Sequence, residues 1–600
     1  MKKRRISIGL ASLIGVIALS SCSDKISEFT NANESNNTIS QISLTDNTGK
    51  ESTVFVDEDV NQGEFTIETE DGGFNVNNNI YTIYKGGTYS LSGLLNGQIQ
   101  ICVTEANSNN SYDVELELNG TTIKYDKDSP IYIMESSDSS ISYDVSISAK
   151  KDTKNVVKDE RGNKESDSDT TGSAAIYSLV DLKLKGKGEL YVTGNYNNGI
   201  HSKDDISIKN LTLMVKAYNN AIKGNDSVEI ESGAITLIST GGDGIKTTNT
   251  GLTSKGKQKG NVTISGGEVT IYACCDGIDA AYDVIIEEQA DVTIYTDKYS
   301  SYTDSLAEST SLSSLTGNVV NFGFGPGGGN PGGGPGFNDG GNTDKSSHSA
   351  KGIKCDNSIS ITGGKAYIKA YDDGLHADND TVMESTNSKG IGTINISGGE
   401  VTIYASDDGI HAENAINITD NAYINITYSH EGIEGNQITF DGGSCYVYST
   451  DDAVNAAKGG VNTTPAVYIK NGYIDLDCAS GDTDTVDSNG SVYISGGVTV
   501  LKNRQSQTTS MTGGTIDVDN SVSMTGGILL SFGTWCNEAK ITASKTSSSS
   551  VASGTYYVKD SSGNVLATTS LAQSYSGYRL FNKTNGTYTL FKDTTSLTTF

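Results

Sequence analysis

The chain has 600 residues, 73 of them acidic and 43 basic, for a formal net charge of −30, with 69 glycines, 31 tyrosines and one tryptophan. That balance excludes charge-driven binding to nucleic acid or to an anionic lipid surface. Eight cysteines without a CxxC spacing exclude a zinc finger or ribbon.

In chain order, Lys2, Lys3, Arg4 and Arg5 precede an apolar run from Ile6 to Leu19, and Leu19-Ser-Ser-Cys22 follows. A basic start, a short apolar stretch and small residues before a cleavage point make a secretory signal over residues 1–22. The ending resembles the lipobox of bacterial lipoproteins. That resemblance implies lipidation of Cys22 and a mature protein held by lipid at the extracellular face of a bacterial membrane. No later apolar run is long enough to span a bilayer. Residues 23–79 are rich in Asn, Ser, Thr, Asp and Glu and are expected to form a flexible tether.

Strands are expected from Ile80. The stretch Ser397-Gly-Gly-Glu-Val-Thr-Ile-Tyr-Ala-Ser-Asp-Asp-Gly-Ile-His-Ala412 returns as Ser265-Gly-Gly-Glu-Val-Thr-Ile-Tyr-Ala-Cys-Cys-Asp-Gly-Ile-Asp-Ala280 and, more loosely, as residues 362–377. Related Gly-Ile steps fall at Gly199, Ala221, Gly244, Gly277, Gly352, Gly374, Gly409, Gly432 and Ala453, and five of the spacings are 21 to 23 residues. Short periods without helical periodicity mark a solenoid. Val401, Ile403 and Ala405 alternate with Thr402 and Tyr404, the period of a half-buried strand. Each copy reads as three short strands cornered by Gly, Asn and Asp. The pattern predicts an all-β parallel β-helix over residues 80–530, with coils of about 22 residues and a narrow core of Ile, Val, Leu and Ala. A leucine-rich repeat is the alternative, but its Leu frame is missing. A Ser- and Gly-rich insertion at 296–349 reads as a loop, and residues 531–600 as a small C-terminal β cap.

Equivalent positions in successive coils of such a fold lie about 4.8 Å apart, so the repeat defines columns in space. The position before the Gly-Ile pair carries Asp243, Asp276, Asp373, Asp408 and Asp452, with Asp372, Asp407 and Asp451 one residue earlier. Two residues beyond the Gly come His201, Lys223, Lys246, Asp279, Lys354, His376, His411, Glu434, Asn455 and Asp487. Stacked carboxylates repel unless protonated, paired or bridged by a cation. Oxygen-rich ligands from adjacent coils suit Ca²⁺. The expected calcium ligands are therefore Asp243, Asp276, Asp279, Asp372, Asp373, Asp407, Asp408, Asp451 and Asp452. The alternative is a turn ladder whose carboxylates simply accept backbone amides. Zinc on the column histidines is a further one, although other residue types interrupt them. On the outward strand face, Tyr272, Tyr404 and Tyr448 form one column, and Tyr367 and Tyr446 lie in the next. Flat rings with hydroxyls along a polar face suit stacking on sugar rings, whereas Tyr and Thr are also simply good strand formers.

The motifs Ala175-Ile-Tyr-Ser178, residues 194–205, Cys275-Asp-Gly-Ile-Asp-Ala280 and Asp407-Asp-Gly-Ile-His-Ala412 resemble a family of secreted bacterial carbohydrate-binding proteins, similar to polysaccharide lyase family nine. The resemblance spans residues 80–530. It implies a right-handed parallel β-helix with calcium sites that binds plant cell-wall polysaccharide, of pectic (polygalacturonate) or cellulosic type. It also raises lyase chemistry: Asp243, Asp276 and Asp279 match three positions of the lyases' aspartate cluster, Cys275 replaces a fourth, and Lys354 stands where the lyase base would be. The incomplete cluster favours binding without catalysis. A calcium-dependent pectate lyase and a structural adhesin are the competing expectations.

Overall fold

Strand Glu400–Ala405 buries Val401, Ile403 and Ala405 and turns Thr402 and Tyr404 outward. The same alternation runs through Asn261–Ala273, Lys365–Ala370 and Ile433–Ser449. The computed structural model describes residues 41–45, 51–56, 61–296 except 166, and 349–600 except 460–462, 482, 505–512 and 536–539. Cys22, the expected leader, residues 23–40, 46–50 and 57–60 of the expected tether and the body of the Ser/Gly insertion lie outside these residues. The described residues form strands and turns and contain no helix. The chain divides into two units, Met1–Asp57 with Thr303–Pro331, and Glu58–Tyr302 with Gly332–Phe600. The first is described through one antiparallel pair, Gln41–Thr45 with Glu51–Val56. Everything below concerns the second.

Most of its strands join one sheet of 39 strands in which most pairings are parallel. Three ladders recur. Ile278–Ala280 pairs with Ile353–Cys355, which pairs with Leu375–Ala377 and then with the start of Ile410–Tyr428. Ser358–Ile361 pairs with Thr393–Ile396, and Lys365–Ala370 with Glu400–Ala405. Register aligns Ile294, Ile368, Ile403 and Ile426 on one interior row. These side chains are essentially inaccessible to solvent and belong to a core continuous from Ile83 to Phe581. Burying each such side chain contributes roughly 1.5–3 kcal/mol against the entropy of ordering the chain.

Two glycine positions explain the motif. Gly399, second of the Ser-Gly-Gly corner, has φ +81°, a region costly for a side chain. Gly374, at the Asp-Asp-Gly corner, has no such φ. A Cβ there would lie 2.5 Å from the carbonyl oxygen of Gly409 and from Cγ2 of Ile403, so the close approach of successive levels selects glycine.

The ends depart from this pattern. Thr66–Glu68 and Gly73–Asn77, inside the stretch expected to be a tether, pair antiparallel with Gly87–Asn96 and Ile80–Lys85. At the other end Tyr578–Asn582 pairs antiparallel with Ile528–Phe532. Gly554–Asp560, Val565–Leu571, Tyr588–Lys592 and Thr595–Thr599 form a separate four-stranded antiparallel sheet. Its Tyr556, Val558 and Leu590 share a second core with Phe532 and Leu530.

Candidate functional site

The outward residue of the Gly-Ile strand forms one column. Register runs Tyr132, Tyr177, His201, Lys223, Lys246, Asp279, Lys354, His376, His411, Glu434, Asn455, Asp487. Its upper part is closed. The segment after Lys154–Asp159 lays Asp169 against Lys203 (2.8 Å) and Lys223 (3.0 Å), and the backbone carbonyls of Asp167 and Ser168 accept Nδ2 of Asn197 and Asn198. His201 is inaccessible. Its Nε2 bonds Asn225 Oδ1 at 3.0 Å and its Nδ1 bonds Ser173 Oγ at 3.1 Å. Burial, aided by the neighbouring lysines, pushes its pKa down to about 3, so the ring is neutral.

The aspartates before the Gly divide their two oxygens. Oδ1 of Asp243, Asp276, Asp373 and Asp452 accepts the backbone N–H of Asp276, Lys351, Asp408 and Asp484, at 3.0, 2.7, 3.1 and 2.6 Å. The turn-ladder role weighed above is therefore present, and it leaves one oxygen of each for other work.

In the upper levels that work is pairing with lysine. Lys246 Nζ lies 2.8 Å from Asp243 and 2.5 Å from Asp279. Burial works against the charge, but the two carboxylates outweigh it and hold Lys246 well above the usual amine range. Asp276 accepts Ser349 Oγ at 2.7 Å, and burial beside Asp243 and Asp279 pushes its pKa up to about 7. One level on, Lys351 lies 3.1 Å from Asp372 and 2.5 Å from Asp373. Two of the three aspartates matching the lyase cluster, Asp243 and Asp279, thus hold a side-chain ammonium between them, a partner that sequence spacing did not single out.

Lower levels use imidazole. Nδ1 of His376 lies 2.7 Å from Asp373 Oδ2, and Nδ1 of His411 lies 2.9 Å from Asp408 Oδ2 and 3.4 Å from Glu434 Oε2. Burial disfavours charge on both rings. Asp408, Glu413 and Glu434 nevertheless hold His411 well above the ordinary imidazole value, whereas His376 is lowered. Asp407 and Asp408 also gather near His430, and Asp451 lies 3.8 Å from His430 Nε2. Burial and the neighbouring acids Asp451, Asp487 and Asp484 raise Asp452 far above the carboxylate range, and Glu431 is raised by burial beside Asp408, Glu434 and Asp452.

The strand face carries a tyrosine ribbon. Tyr272 stacks on Tyr295 (5.2 Å, 7°), and Tyr295 meets Tyr367 at 6.0 Å. Lys369 sits 5.1 Å over Tyr404, Tyr404 stacks on Tyr428 (5.0 Å, 17°), Tyr428 meets Tyr448 at 6.4 Å, and Arg504 covers Tyr448 at 4.4 Å. Tyr446 lies between Tyr423 and Tyr473, 5.6 Å from each. The faces of Tyr272 and Tyr404 are thus used on neighbouring rings, and the best exposed rings are Tyr367 (36%) and Tyr423 (39%). Sequence anchoring on Gly-Ile missed Tyr295, whose strand Asp283–Thr296 ends at the insertion without that step. Counting five residues back from Gly432 puts Thr427 opposite Tyr404, but a register shift brings Tyr428 there instead.

Comparison with known proteins places these features in context. The model of the carbohydrate-binding domain-containing protein family matches residues 77–389 and 382–505. A relative from Acetivibrio thermocellus, described as a carbohydrate-binding domain-containing protein, is 34% identical over 147 residues, 24% of this chain and 48% of the relative. The chain thus spans about half the length of that curated relative. A solved structure, described as the polysaccharide lyase-like protein from C. thermocellum in a gadolinium derivative, aligns with a TM-score of 0.32 at 34% identity, over 42% of this chain and 89% of that one.

Proposed function

Since the chain belongs to the carbohydrate-binding domain-containing protein family, we propose that it is a cell-surface lipoprotein whose ladders form a right-handed parallel β-helix that binds plant cell-wall polysaccharide, pectic or cellulosic, without cleaving it. The observation that carries this reading is the ribbon of rings from Tyr272 to Tyr448, flanked by the polar column. Aromatic rings spaced along an extended ladder match a polymer of sugar rings better than one small ligand.

Calcium is the cofactor this reading takes, and the donor set supports it at the lower end of the column. Asp451, Asp452 and Glu431 sit there as oxygen donors beside the single imidazole of His430, which Asp407 also approaches. Asn455 donates its Nδ2 to Glu431 Oε2 at 3.0 Å, while its Oδ1 is buried without a hydrogen-bond partner among the described residues. A cation at these oxygens would satisfy that atom and offset the crowding that raises Asp452 and Glu431. Calcium would supply a charge to which a uronate carboxylate can bind. The fit is poorer for Asp243, Asp279, Asp372 and Asp373, where lysines already lie.

The non-catalytic reading is supported by the surroundings of Lys354. A lysine base must lose its proton near neutral pH. Burial favours that loss, but Asp279, Asp276 and Asp356 outweigh it and hold Lys354 above the usual amine value.

The double variant Tyr367→Ala/Tyr423→Ala is expected to weaken binding to polygalacturonate or cellulose about two- to tenfold per ring removed, from roughly 0.5–1.5 kcal/mol for each aromatic contact. Affinity electrophoresis in the polysaccharide gel measures it. Unchanged mobility shift in a variant of unchanged melting temperature would remove the ribbon from the account.

A further inference from the structure

Three of the chain's five histidines, His376, His411 and His430, lie on successive levels of one corner. Two of them face each other in register with ring centroids 4.8 Å apart. Donor atoms of Asp373, His376 and His411 fall within 4.8 Å of one another, as do those of Asp408, His411 and Glu434, so His411 belongs to both groups. The side chains are largely buried: His376 is 13% and His411 21% exposed, Asp373 4% and Asp408 9%.

The chemistry of this level differs from that of its neighbours. Above it the column neutralises carboxylates with Lys246, and Lys351 reaches Asp372 and Asp373 at its upper edge. Below it, at Asp451, Asp452 and Asn455, the donors are oxygens apart from the single imidazole of His430. Here alone in the described column two imidazole nitrogens converge with carboxylates on both sides. Calcium takes oxygen ligands, whereas two nitrogens with one or two carboxylates suit a tetrahedral Zn²⁺-type ion. Backbone pairing holds the imidazoles at adjacent levels, so the nitrogens are positioned before any ion arrives.

We propose that His376 and His411, with Asp408 and Glu434, form a site for one first-row transition ion of the Zn²⁺ class, chemically distinct from the calcium-type oxygens below it. Asp373 bonds Nδ1 of His376 at 2.7 Å and accepts the backbone N–H of Asp408, which makes it a positioning residue. The ion ties two adjacent levels together. This inference stands independently of polysaccharide binding.

The test titrates the chelator-stripped full chain with Zn²⁺ in a buffer containing millimolar Ca²⁺, by calorimetry, and with Co²⁺ by visible absorption. One equivalent is expected, with the intense visible bands of a four-coordinate cobalt site. His376→Gln/His411→Gln is expected to bind about tenfold more weakly or worse and to lose the bands. Should that variant fold poorly, diethyl pyrocarbonate labelling of the unmodified chain read by mass spectrometry replaces it. Zn²⁺, and not Ca²⁺, should then slow modification of His376 and His411. Zn²⁺ affinity unchanged in the folded double variant, equal protection by Ca²⁺, or labelling indifferent to Zn²⁺ would overturn the proposal.

Discussion

Lys246→Met is expected to cost about 3 kcal/mol of stability in a chelating buffer, and added calcium is expected to restore most of it. The ammonium lies within 2.8 Å of Asp243 and 2.5 Å of Asp279, whose side chains are 8% and 18% exposed. Removing one partner of such a pair leaves carboxylates with less compensation than their burial requires, typically at a cost of ~3–5 kcal/mol; the lower figure applies because Lys246 is 28% exposed. Methionine keeps the packing of the stem and removes the charge. The variant leaves Asp243 and Asp279 as oxygen donors at the vacated position, with Asp276 beside them, a set that suits Ca²⁺. Thermal melts of both proteins with chelator and with calcium measure this. A variant as stable as the parent in chelator, or one that calcium does not rescue, would show that Lys246 is not standing in for a cation.

Acid is expected to destabilise the chain through His201, by an amount on the order of 4 kcal/mol between pH 6.5 and pH 3. The folded ring is neutral, with a pKa near 3 because burial and the adjacent lysines penalise its charged form. In the unfolded chain the ring titrates near 6.5, so below that pH the unfolded state binds the extra proton. Stability is therefore complete above about pH 6.5 and falls as pH drops toward 3. Gln at this position preserves donation to Asn225 Oδ1 and cannot gain a proton. His201→Gln is expected to flatten the dependence of chemical-denaturation midpoint on pH over that window. A slope equal to that of the parent would assign the acid sensitivity elsewhere.

Levels were legible in the sequence and side-chain partners were not. Alternation in Glu400–Ala405 and the recurrent Asp-Asp-Gly-Ile corner set which residues share a row, and the pairings of Lys354 with Asp279 and of His376 with His411 follow that row assignment. Backbone pairing depends on local periodicity, which a repeat displays directly. What escaped depends on rotamers and on chain returning from elsewhere. Lysine stems are long enough to swing Lys246 and Lys351 between two acids, and residue type alone does not say which way they point. Residues 150–172 read in the sequence as a charged insertion, whereas Lys154–Asp159 forms a strand of the ladder and only tertiary contact reveals Asp169 lying over Lys203 and Lys223. A single extra residue at Thr427 shifted the tyrosine column, because in a strand one residue of slip exchanges the two faces.

The central claim is calcium-assisted binding of an acidic or cellulosic polymer without its cleavage. Its most direct test is retention of the purified chain on insoluble polygalacturonate and on cellulose, with calcium and with chelator, while ultraviolet absorbance follows unsaturated product. The account predicts retention that chelator weakens and no rise in absorbance. Steady product formation, abolished by Lys354→Ala, would make the protein a lyase and contradict it, as would passage through both matrices unretained in calcium.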